Sequence, residues 1–281
     1  MVIGSKRRLL FYHSLVRIGL LLVSCYVLFP MLWMLVTSFK TEAEALRIPI
    51  TWLPVEPTVQ NYIDMWMVKP FGLYFRNSII ISASTALFST LMGAFAAYGL
   101  SRFAFKGKRL LLGGFLATQM ISGVLVIGPY FKIMARVGLY NTHSGLIIAF
   151  VTICLPFSTW MLKGYFDTIP KAIDEAAMID GSSRLRTFLQ IVLPLSLPGV
   201  VATTLFGFLL AWGDLLWAVT LASTDDVRMV TQGIAFTVGE FIVNWPMLTA
   251  ASTMGSIPSI LLYVFMQRYL VEGVTAGAVK E

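Results

Sequence analysis

Charged side chains are scarce in this sequence. Asp, Glu, Lys and Arg make up 12% of its 281 residues, whereas hydrophobic residues make up 57%. A water-soluble domain carries roughly 25% charged residues. The composition therefore excludes an ordinary soluble domain and indicates that lipid surrounds most of the chain.

Motifs for catalysis and metal binding are also missing. The sequence has no G-x-x-x-x-G-K-[ST], so it lacks the loop with which many ATPases hold the phosphates of ATP. It has no H-E-x-x-H and no C-x-x-C, and its only histidines, His13 and His143, lie far apart. We therefore expect no catalytic residue, no metal site and no cofactor bound by this chain.

Long hydrophobic runs, by contrast, are frequent. A helix needs about 20 mostly apolar residues to cross a bilayer. The stretches that qualify lie near residues 18–38, 78–100, 110–131, 144–163, 197–221 and 250–267. The sequence therefore predicts an all-α integral membrane protein with six transmembrane helices. The first run is too long for the apolar part of a signal peptide, so we interpret it as an uncleaved span.

The basic residues predict how these helices are oriented. The formal net charge is +7, and 14 of the 21 Lys and Arg residues fall in the N-terminal segment, residues 101–109, residues 163–196 and the C-terminal tail. Cytoplasmic segments of membrane proteins carry such an excess of cations. We therefore predict that both termini and the segment 170–194 are cytoplasmic. Because the cations lie at the ends of apolar runs, we expect a lipid bilayer around the chain and no nucleic-acid partner.

The segment between the fourth and fifth spans is polar and rich in small residues. Pro170 suits the first turn of a helix, where its missing N–H costs nothing. Residues 171–179 are predicted as a short helix that Gly181 ends at a position requiring a positive φ. A second helix is predicted to follow and to stop at Pro194. Its apolar face consists of Leu185, Phe188, Leu189 and Val192.

The residues of this segment leave two interpretations open. One is an ordinary linker between membrane helices. The other is a compact knob to which a partner protein binds, with Asp174 and Glu175 as carboxylates for a basic partner and with small alanines that permit close approach.

Seven positions of the segment resemble the EAA loop of permease subunits of ATP-binding-cassette (ABC) importers. The pattern is Glu-Ala-Ala, three residues, Gly, nine residues and Ile-x-Leu-Pro. The matching residues are Glu175, Ala176, Ala177, Gly181, Ile191, Leu193 and Pro194. The resemblance implies a type I ABC importer permease fold, in which this cytoplasmic coupling-helix loop docks on an ATPase subunit and transmits its movement. It also implies that ATP and Mg²⁺ bind to that ATPase.

Further stretches resemble the smaller, six-span permease of carbohydrate importers of the maltose-transporter kind. They are Thr58 to Tyr62, Arg76 to Ser78, Trp212 to Trp217 and the tail from Gln267 to Lys280. The resemblance implies three partners, namely a second, non-identical permease, a dimer of ATPase subunits and an external sugar-binding protein. It places the complex in the cell (inner) membrane of a bacterium or archaeon. The tail residues implied to contact the ATPase are Thr275, Ala276, Gly277 and Lys280.

The expected organisation has four parts. They are a cytoplasmic N-terminus (1–17), a first transmembrane helix with an outer loop (18–70), a transmembrane domain (71–267) that includes the coupling loop (168–196), and a cytoplasmic tail (268–281). The outer segment 222–249 has two interpretations. It is a lid over the helix ends, or, by the resemblance, the loop that inserts into the sugar-binding protein.

One carboxylate, Asp214, lies inside the fifth span. A charge at the centre of a bilayer costs roughly 2.5–3.5 kcal/mol on insertion scales, so we expect this side chain to face the bundle interior or water. It either lines the translocation pathway, with Trp212 or Trp217 offering a ring face to a sugar, or it is a capped, neutral or paired residue near the outer end of the span. In the second case the two tryptophans belong to an interfacial aromatic belt. Relatives often carry Asn-Glu where this chain has Gly213-Asp214, so the sequence leaves both interpretations open.

Other transporters are the alternatives to an oligosaccharide importer. Within the ABC class the other solutes are glycerol phosphate, a polyol, an amino acid or a polyamine. Glycerol phosphate calls for basic residues inside the spans, and we find none there. An ion-coupled secondary transporter calls for several ionisable residues in the spans and for inverted repeats. Since only Asp214 meets that description, the sequence favours an ABC permease.

Replacing Gly181 by Leu should leave membrane insertion intact and uncouple ATP hydrolysis from transport. A β-carbon opposes a positive φ by about 1–2 kcal/mol, and it also obstructs a partner that docks closely. The measurement compares ATP hydrolysis with solute uptake in the reconstituted transporter. Normal transport by the Gly181→Leu variant would contradict docking at this bend.

Overall fold

The structure is helical over most of the chain, as the composition predicts. The computed structural model describes residues 3–238 and 243–278, with side chains described within 12–238 and 243–267. In chain order the helices are α1 (Ile3–Ser38), α2 (Glu42–Ala45), α3 (Gln60–Val68), α4 (Phe71–Arg102), α5 (Lys108–Met120), α6 (Gly123–Arg136), α7 (His143–Thr168), α8 (Lys171–Ile179), α9 (Arg184–Thr187), α10 (Leu193–Leu195), α11 (Leu197–Gly213), α12 (Leu216–Leu221), α13 (Val230–Ala235) and α14 (Trp245–Ala278). A π-helical turn, Phe188–Val192, connects α9 to α10.

Several helices are long enough to cross a bilayer. Four stretches are also apolar enough, namely Tyr12–Ser38, Phe71–Arg102, His143–Thr168 and Trp245–Gln267. Two pairs of helices pass the same test but bend sharply, by 99° between α5 and α6 and by 82° where α10 meets α11. The described chain therefore has four membrane-length helices, or six spans if each bent pair crosses once, which agrees with the predicted architecture.

Two of the predicted spans are broken. The stretch 110–131 is interrupted between α5 and α6, where Ile121 and Ser122 have extended backbone with ψ of 122° and 130°. The stretch 197–221 is interrupted at Asp214, whose ψ is 132°. The carboxylate of Asp214 accepts a hydrogen bond from the backbone N–H of Trp217 at 2.7 Å and so begins α12 as a new helix. Average hydropathy carries no signal for either break.

Contacts divide the chain into two units, which are described separately here. The first contains Met1–Lys69 and Phe236–Met254, and the second contains Pro70–Ala235 and Gly255–Glu281. In the first unit Asn61 joins the start of α3 to the end of α1, because its side-chain amide donates to the backbone carbonyls of Ser38 and Lys40, both at 2.8 Å. The segment that follows α1 is therefore held against α3 by side-chain hydrogen bonds.

The centre of the second unit is formed by α4, α7 and α11, which pack on one another through small residues. A β-carbon on Gly93 of α4 would lie 2.9 Å from the β-carbon of Ser158 on α7, closer than such atoms approach. Ala94 and Ala97 are also buried. Small residues allow helix backbones to approach closely in lipid, and Gly93 allows such an approach between α4 and α7. Gly99, by contrast, faces open space.

Gly93→Val should destabilise the protein by about 1–3 kcal/mol, because the added atoms overpack the contact between α4 and α7. The matched control is Gly99→Val on the same helix, where a β-carbon meets nothing within 4 Å. Thermal unfolding of both purified variants in one detergent measures the difference. Equal melting temperatures for the two variants would contradict a close α4–α7 contact at Gly93.

Candidate functional site

Residues 170–194, which we call the elbow, fold as two short helical pieces joined at a glycine. The first piece is α8, preceded by Pro170. Gly181 follows it with φ of +83°, and the N–H of Ser182 donates to the carbonyl of Ala177 at 2.9 Å. This is how a left-handed glycine satisfies the last carbonyls of a helix. The predicted helix 171–179 and the positive φ of Gly181 are therefore confirmed.

The second piece differs from the single helix that the sequence predicts. After α9, the π-helical turn places the N–H of Leu193 on the carbonyl of Phe188, five residues back. The helical segment ends at Leu195, one residue beyond Pro194, and α11 follows after the bend of 82°. Of the predicted apolar face, Phe188 and Val192 are buried and the two leucines are exposed.

The seven residues that match the EAA pattern differ in their exposure to solvent. Glu175, Ala176, Gly181 and Pro194 are exposed. Ala177 is buried, and Ile191 and Leu193 are half-buried. A β-carbon on Gly181 would meet nothing within 4 Å in this chain. The elbow therefore presents a carboxylate, a small side chain and an unobstructed glycine on its exposed surface.

Asp174 does not offer its carboxylate outward, contrary to the expectation from the sequence. Its Oδ2 lies 3.0 Å from Nε of Arg102 at the end of α4, and the two side chains are only 9% and 6% exposed. The hydroxyl of Tyr98 donates to Oδ1 of the same carboxylate at 3.0 Å. Removing one partner from a buried ion pair costs roughly 3–5 kcal/mol, because the other charge is left without compensation. The carboxylate of Asp174 therefore binds side chains of its own chain.

Sequence reasoning did not find this ion pair. Arg102 appeared as one of four cations in a cytoplasmic loop, and Asp174 as one of two neighbouring acids in the elbow. The two residues are far apart in the sequence, and no periodic pattern relates them. No pattern in the sequence signals the pair, because a cation directly after an apolar span is what the cytoplasmic end of a membrane helix carries in any case.

An aromatic cluster holds the second piece of the elbow against the bundle. Its buried members are Ala94, Ala97, Leu162, Phe166, Phe188 and Val192. The ring of Tyr98 lies 4.7 Å from that of Phe188, and the ring of Phe166 meets Phe188 edge-on at 6.1 Å. Such ring pairs contribute about 0.5–1.5 kcal/mol beyond the area they bury. The elbow is therefore fixed to α4 and α7 by both polar and apolar contacts.

The residues predicted for a translocation pathway each have a structural partner. Asp214 caps α12 through its hydrogen bonds with the N–H groups of Trp217, at 2.7 Å, and Ala218, at 3.4 Å. Trp212 is buried, and its Nε1 donates to the carbonyl of Gly255 at 2.9 Å. Trp217 is also buried and meets Tyr130 edge-on at 5.1 Å. A role of these three residues in lining the pathway stays a prediction.

Asn77 organises the outer segment that precedes α13. Its side-chain amide donates to the carbonyls of Asp226 at 2.9 Å and Arg228 at 3.0 Å, and its Oδ1 lies 3.0 Å from Nε2 of His143. The neighbouring Ser78 accepts the N–H of Val230 at 2.8 Å. Asn77 and Ser78 therefore fix the segment 225–230 to the start of α4.

Two predicted regions are described only in part. Thr275, Ala276 and Gly277 lie in α14, and their side chains are outside the described residues, as is all of Lys280. Within the outer segment 222–249, residues 239–242 are likewise outside them. The contact of the tail to an ATPase and the insertion of the outer segment into a binding protein stay predictions.

Comparison with known proteins gives consistent matches across the chain. Residues 89–276 match the family described as "Binding-protein-dependent transport system inner membrane component". The inner membrane ABC transporter permease protein YcjP of Escherichia coli is 39% identical over 93% of this chain and 94% of its own length. The trehalose/maltose transport system permease protein MalG of Thermococcus litoralis is 36% identical over 94% of this chain and 95% of its own length.

A solved structure has the same fold. A chain of a bacterial ABC transporter involved in the import of the acidic polysaccharide alginate superposes with a TM-score of 0.79, covering 94% of this chain and 98% of that chain. The sequence identity is 22%. The likeness therefore shows the type I ABC importer permease fold.

We expect Asp214→Asn to keep both stability and transport, because an asparagine oxygen accepts the same N–H groups at the start of α12. Asp214→Ala should lose about 1 kcal/mol of stability, since it removes the cap. Melting temperature and solute uptake of the two variants are measured side by side. Loss of uptake by a well-expressed Asp214→Asn variant would contradict a capping role alone and support the pathway interpretation.

Proposed function

Because this chain belongs to the family of binding-protein-dependent transport system inner membrane components, we propose that it is the permease subunit of an ABC importer that carries an oligosaccharide. The observation that supports the solute class most strongly is the match to the trehalose/maltose permease MalG, at 36% identity over nearly the full length of both chains. The YcjP match and the fold likeness support the transporter class.

The proposed mechanism places the chemistry on other subunits. ATP and Mg²⁺ bind to a dimer of ATPase subunits, and closure of that dimer moves the elbow. Glu175, Ala176 and Gly181 form the docking surface, with Ala177, Ile191 and Pro194 shaping the elbow behind it. The membrane helices then rearrange as rigid bodies, so that the pathway opens alternately to the two sides. An external binding protein delivers the sugar, and a second, non-identical permease completes the pathway.

The proposed orientation follows the charge distribution. Both termini and the elbow lie in the cytoplasm, and the segments 39–70 and 222–249 lie outside. The tail residues Thr275, Ala276, Gly277 and Lys280 contact the ATPase, and the segment fixed by Asn77 belongs to the face that meets the binding protein. The membrane is the inner or only cell membrane of a bacterium or archaeon.

A second candidate within the class is an importer of another solute, such as glycerol phosphate, a polyol or a polyamine. The absence of basic residues from the predicted spans disfavours an anionic solute of the glycerol phosphate type. An ion-coupled secondary transporter is the candidate from another class. It is disfavoured because Asp214 is the sole acid in the predicted spans and its carboxylate caps α12.

Uptake into proteoliposomes tests the proposal. The vesicles contain this chain, the second permease and the ATPase subunits, with ATP inside and the binding protein outside. Radiolabelled maltose, trehalose and an alginate trisaccharide are the probes. We expect ATP-dependent uptake of maltose or trehalose that disappears when either the ATPase or the binding protein is left out.

Two outcomes would contradict the proposal in different ways. Uptake of alginate alone would overturn a neutral sugar as solute while leaving the importer class intact. Uptake by this chain without any ATPase, driven by a proton or sodium gradient, would overturn the importer class itself. Vesicles with the ATPase but without this chain are the control for leakage.

A further inference from the structure

The first helix of the elbow is joined to the membrane helices at one carboxylate. Among the described residues, each side-chain hydrogen bond or ion pair between α8 and the helices α4 and α7 involves Asp174. Apart from Asp174, Ala177 is the one residue of α8 that is buried, and its methyl group contributes little apolar area. Apolar packing alone therefore does little to fix α8 to the bundle.

The partner of Asp174 is itself fixed at a junction of two helices. Arg102 donates from Nη1 to the carbonyl of Phe166 near the end of α7 at 2.9 Å. The adjacent Ser101 donates to the carboxylate of Asp167, also on α7, at 2.7 Å. Arg102 thus contacts α7 and α8 at the same time from the end of α4, so a displacement of Asp174 acts directly on both membrane helices.

Tyr98 provides a second connection one turn earlier on α4. Its hydroxyl donates to Asp174, and its ring packs on Phe188 in the other piece of the elbow. One side chain therefore contacts both pieces, on either side of the bend at Gly181. Asp174 therefore has two kinds of partner on α4, an ion pair with Arg102 at 3.0 Å and a hydrogen bond from the hydroxyl of Tyr98, also at 3.0 Å.

Two neighbouring carboxylates consequently have different surroundings. The side chain of Asp174 is 9% exposed and faces the bundle, whereas Glu175 is exposed to solvent. The inward carboxylate is held by Arg102 and Tyr98, and the outward one has no side-chain partner among the described residues.

We propose that Asp174, held by Arg102 and Tyr98, is the positioning contact that makes the elbow and the ends of α4 and α7 move as one rigid body. The inference rests on the proposed function, because an ATPase supplies the displacement that the contact transmits. Breaking the contact should leave α8 free to move without the membrane helices. ATP hydrolysis would then continue while the bundle no longer follows it.

Distance measurements between spin labels test this rigidity. The labels are placed at Ile179→Cys on α8 and Met92→Cys on α4, both exposed positions, with Cys25 and Cys154 replaced by Ser and Ala. Double electron–electron resonance is recorded on the assembled transporter in nanodiscs, without nucleotide and after trapping with ATP and vanadate. We expect one narrow distance distribution that is the same in both states.

Single variants should lose that narrow distribution. Asp174→Asn and Arg102→Gln leave one buried group without its ionic partner, so the distance should broaden in both states and shift on trapping. The double variant Arg102→Asp/Asp174→Arg exchanges the two charges and should restore the narrow distance distribution. Asp180→Asn is the matched control for the distance, since it makes the same chemical change at an exposed position of the elbow to which no role is assigned. If the charge variants are not produced as folded protein, Tyr98→Phe is measured in their place. It removes only the hydroxyl that donates to Asp174 and should also broaden the distance distribution.

The outcomes separate this inference from the proposed function. If the parent transporter hydrolyses ATP and the single variants keep its narrow distribution, the rigid contact is overturned and the importer proposal stands. The contact is also overturned if the charge-exchanged variant is as broad as the single ones. A parent chain that never assembles with an ATPase overturns the proposed function itself, whatever the distances are.

Discussion

A buried ion pair at the end of a membrane helix decides how the polar elbow of this chain is held. Arg102 and Asp174 meet at 3.0 Å with side chains that are 6% and 9% exposed, and Tyr98 completes the carboxylate's partners. Without this contact α8 would be attached to the bundle through the chain ends and Ala177 alone. The exposed surface of the elbow, with Glu175, Ala176 and Gly181, has a defined position because the opposite side is fixed.

Two further polar side chains of the second unit, Asp214 and Asn77, also bind groups within the chain. Water is absent from the centre of a bilayer, so each polar group must find a partner inside the protein. Asp214 does so by capping α12, which breaks the fifth predicted span, and Asn77 does so by binding the carbonyls of the outer segment. Asp214 and Asn77 therefore stand at a bend and at a junction, whereas hydroxyl side chains such as Ser82, Thr85 and Ser158 are buried along α4 and α7. The long helices between those points pack through small residues such as Gly93.

The sequence predicts the features that depend on local pattern. Long apolar runs indicate helices because lipid requires every backbone group to bond internally, and Gly181 indicates a helix end because few other residues adopt a positive φ. The breaks at Ile121 and Asp214 were missed because hydropathy averages over a window. Asp214 itself was a usable signal for the second break. Aspartate is a preferred first residue of a helix, because its side chain accepts the N–H of the residue three positions later. The ion pair of Arg102 and Asp174 could not be predicted from local sequence pattern. The two residues are brought together only when α4 packs against α7.

We propose that the exposed side of the elbow receives its movement from a separate ATPase subunit. The most direct measurement places a benzophenone photocrosslinker at Ala176 in a transporter that imports its sugar, and identifies the adduct by mass spectrometry. The account predicts an adduct between this chain and the ATPase, and none when the crosslinker is placed at the exposed outer residue Ile48. An active transporter in which Ala176 never captures the ATPase would contradict it.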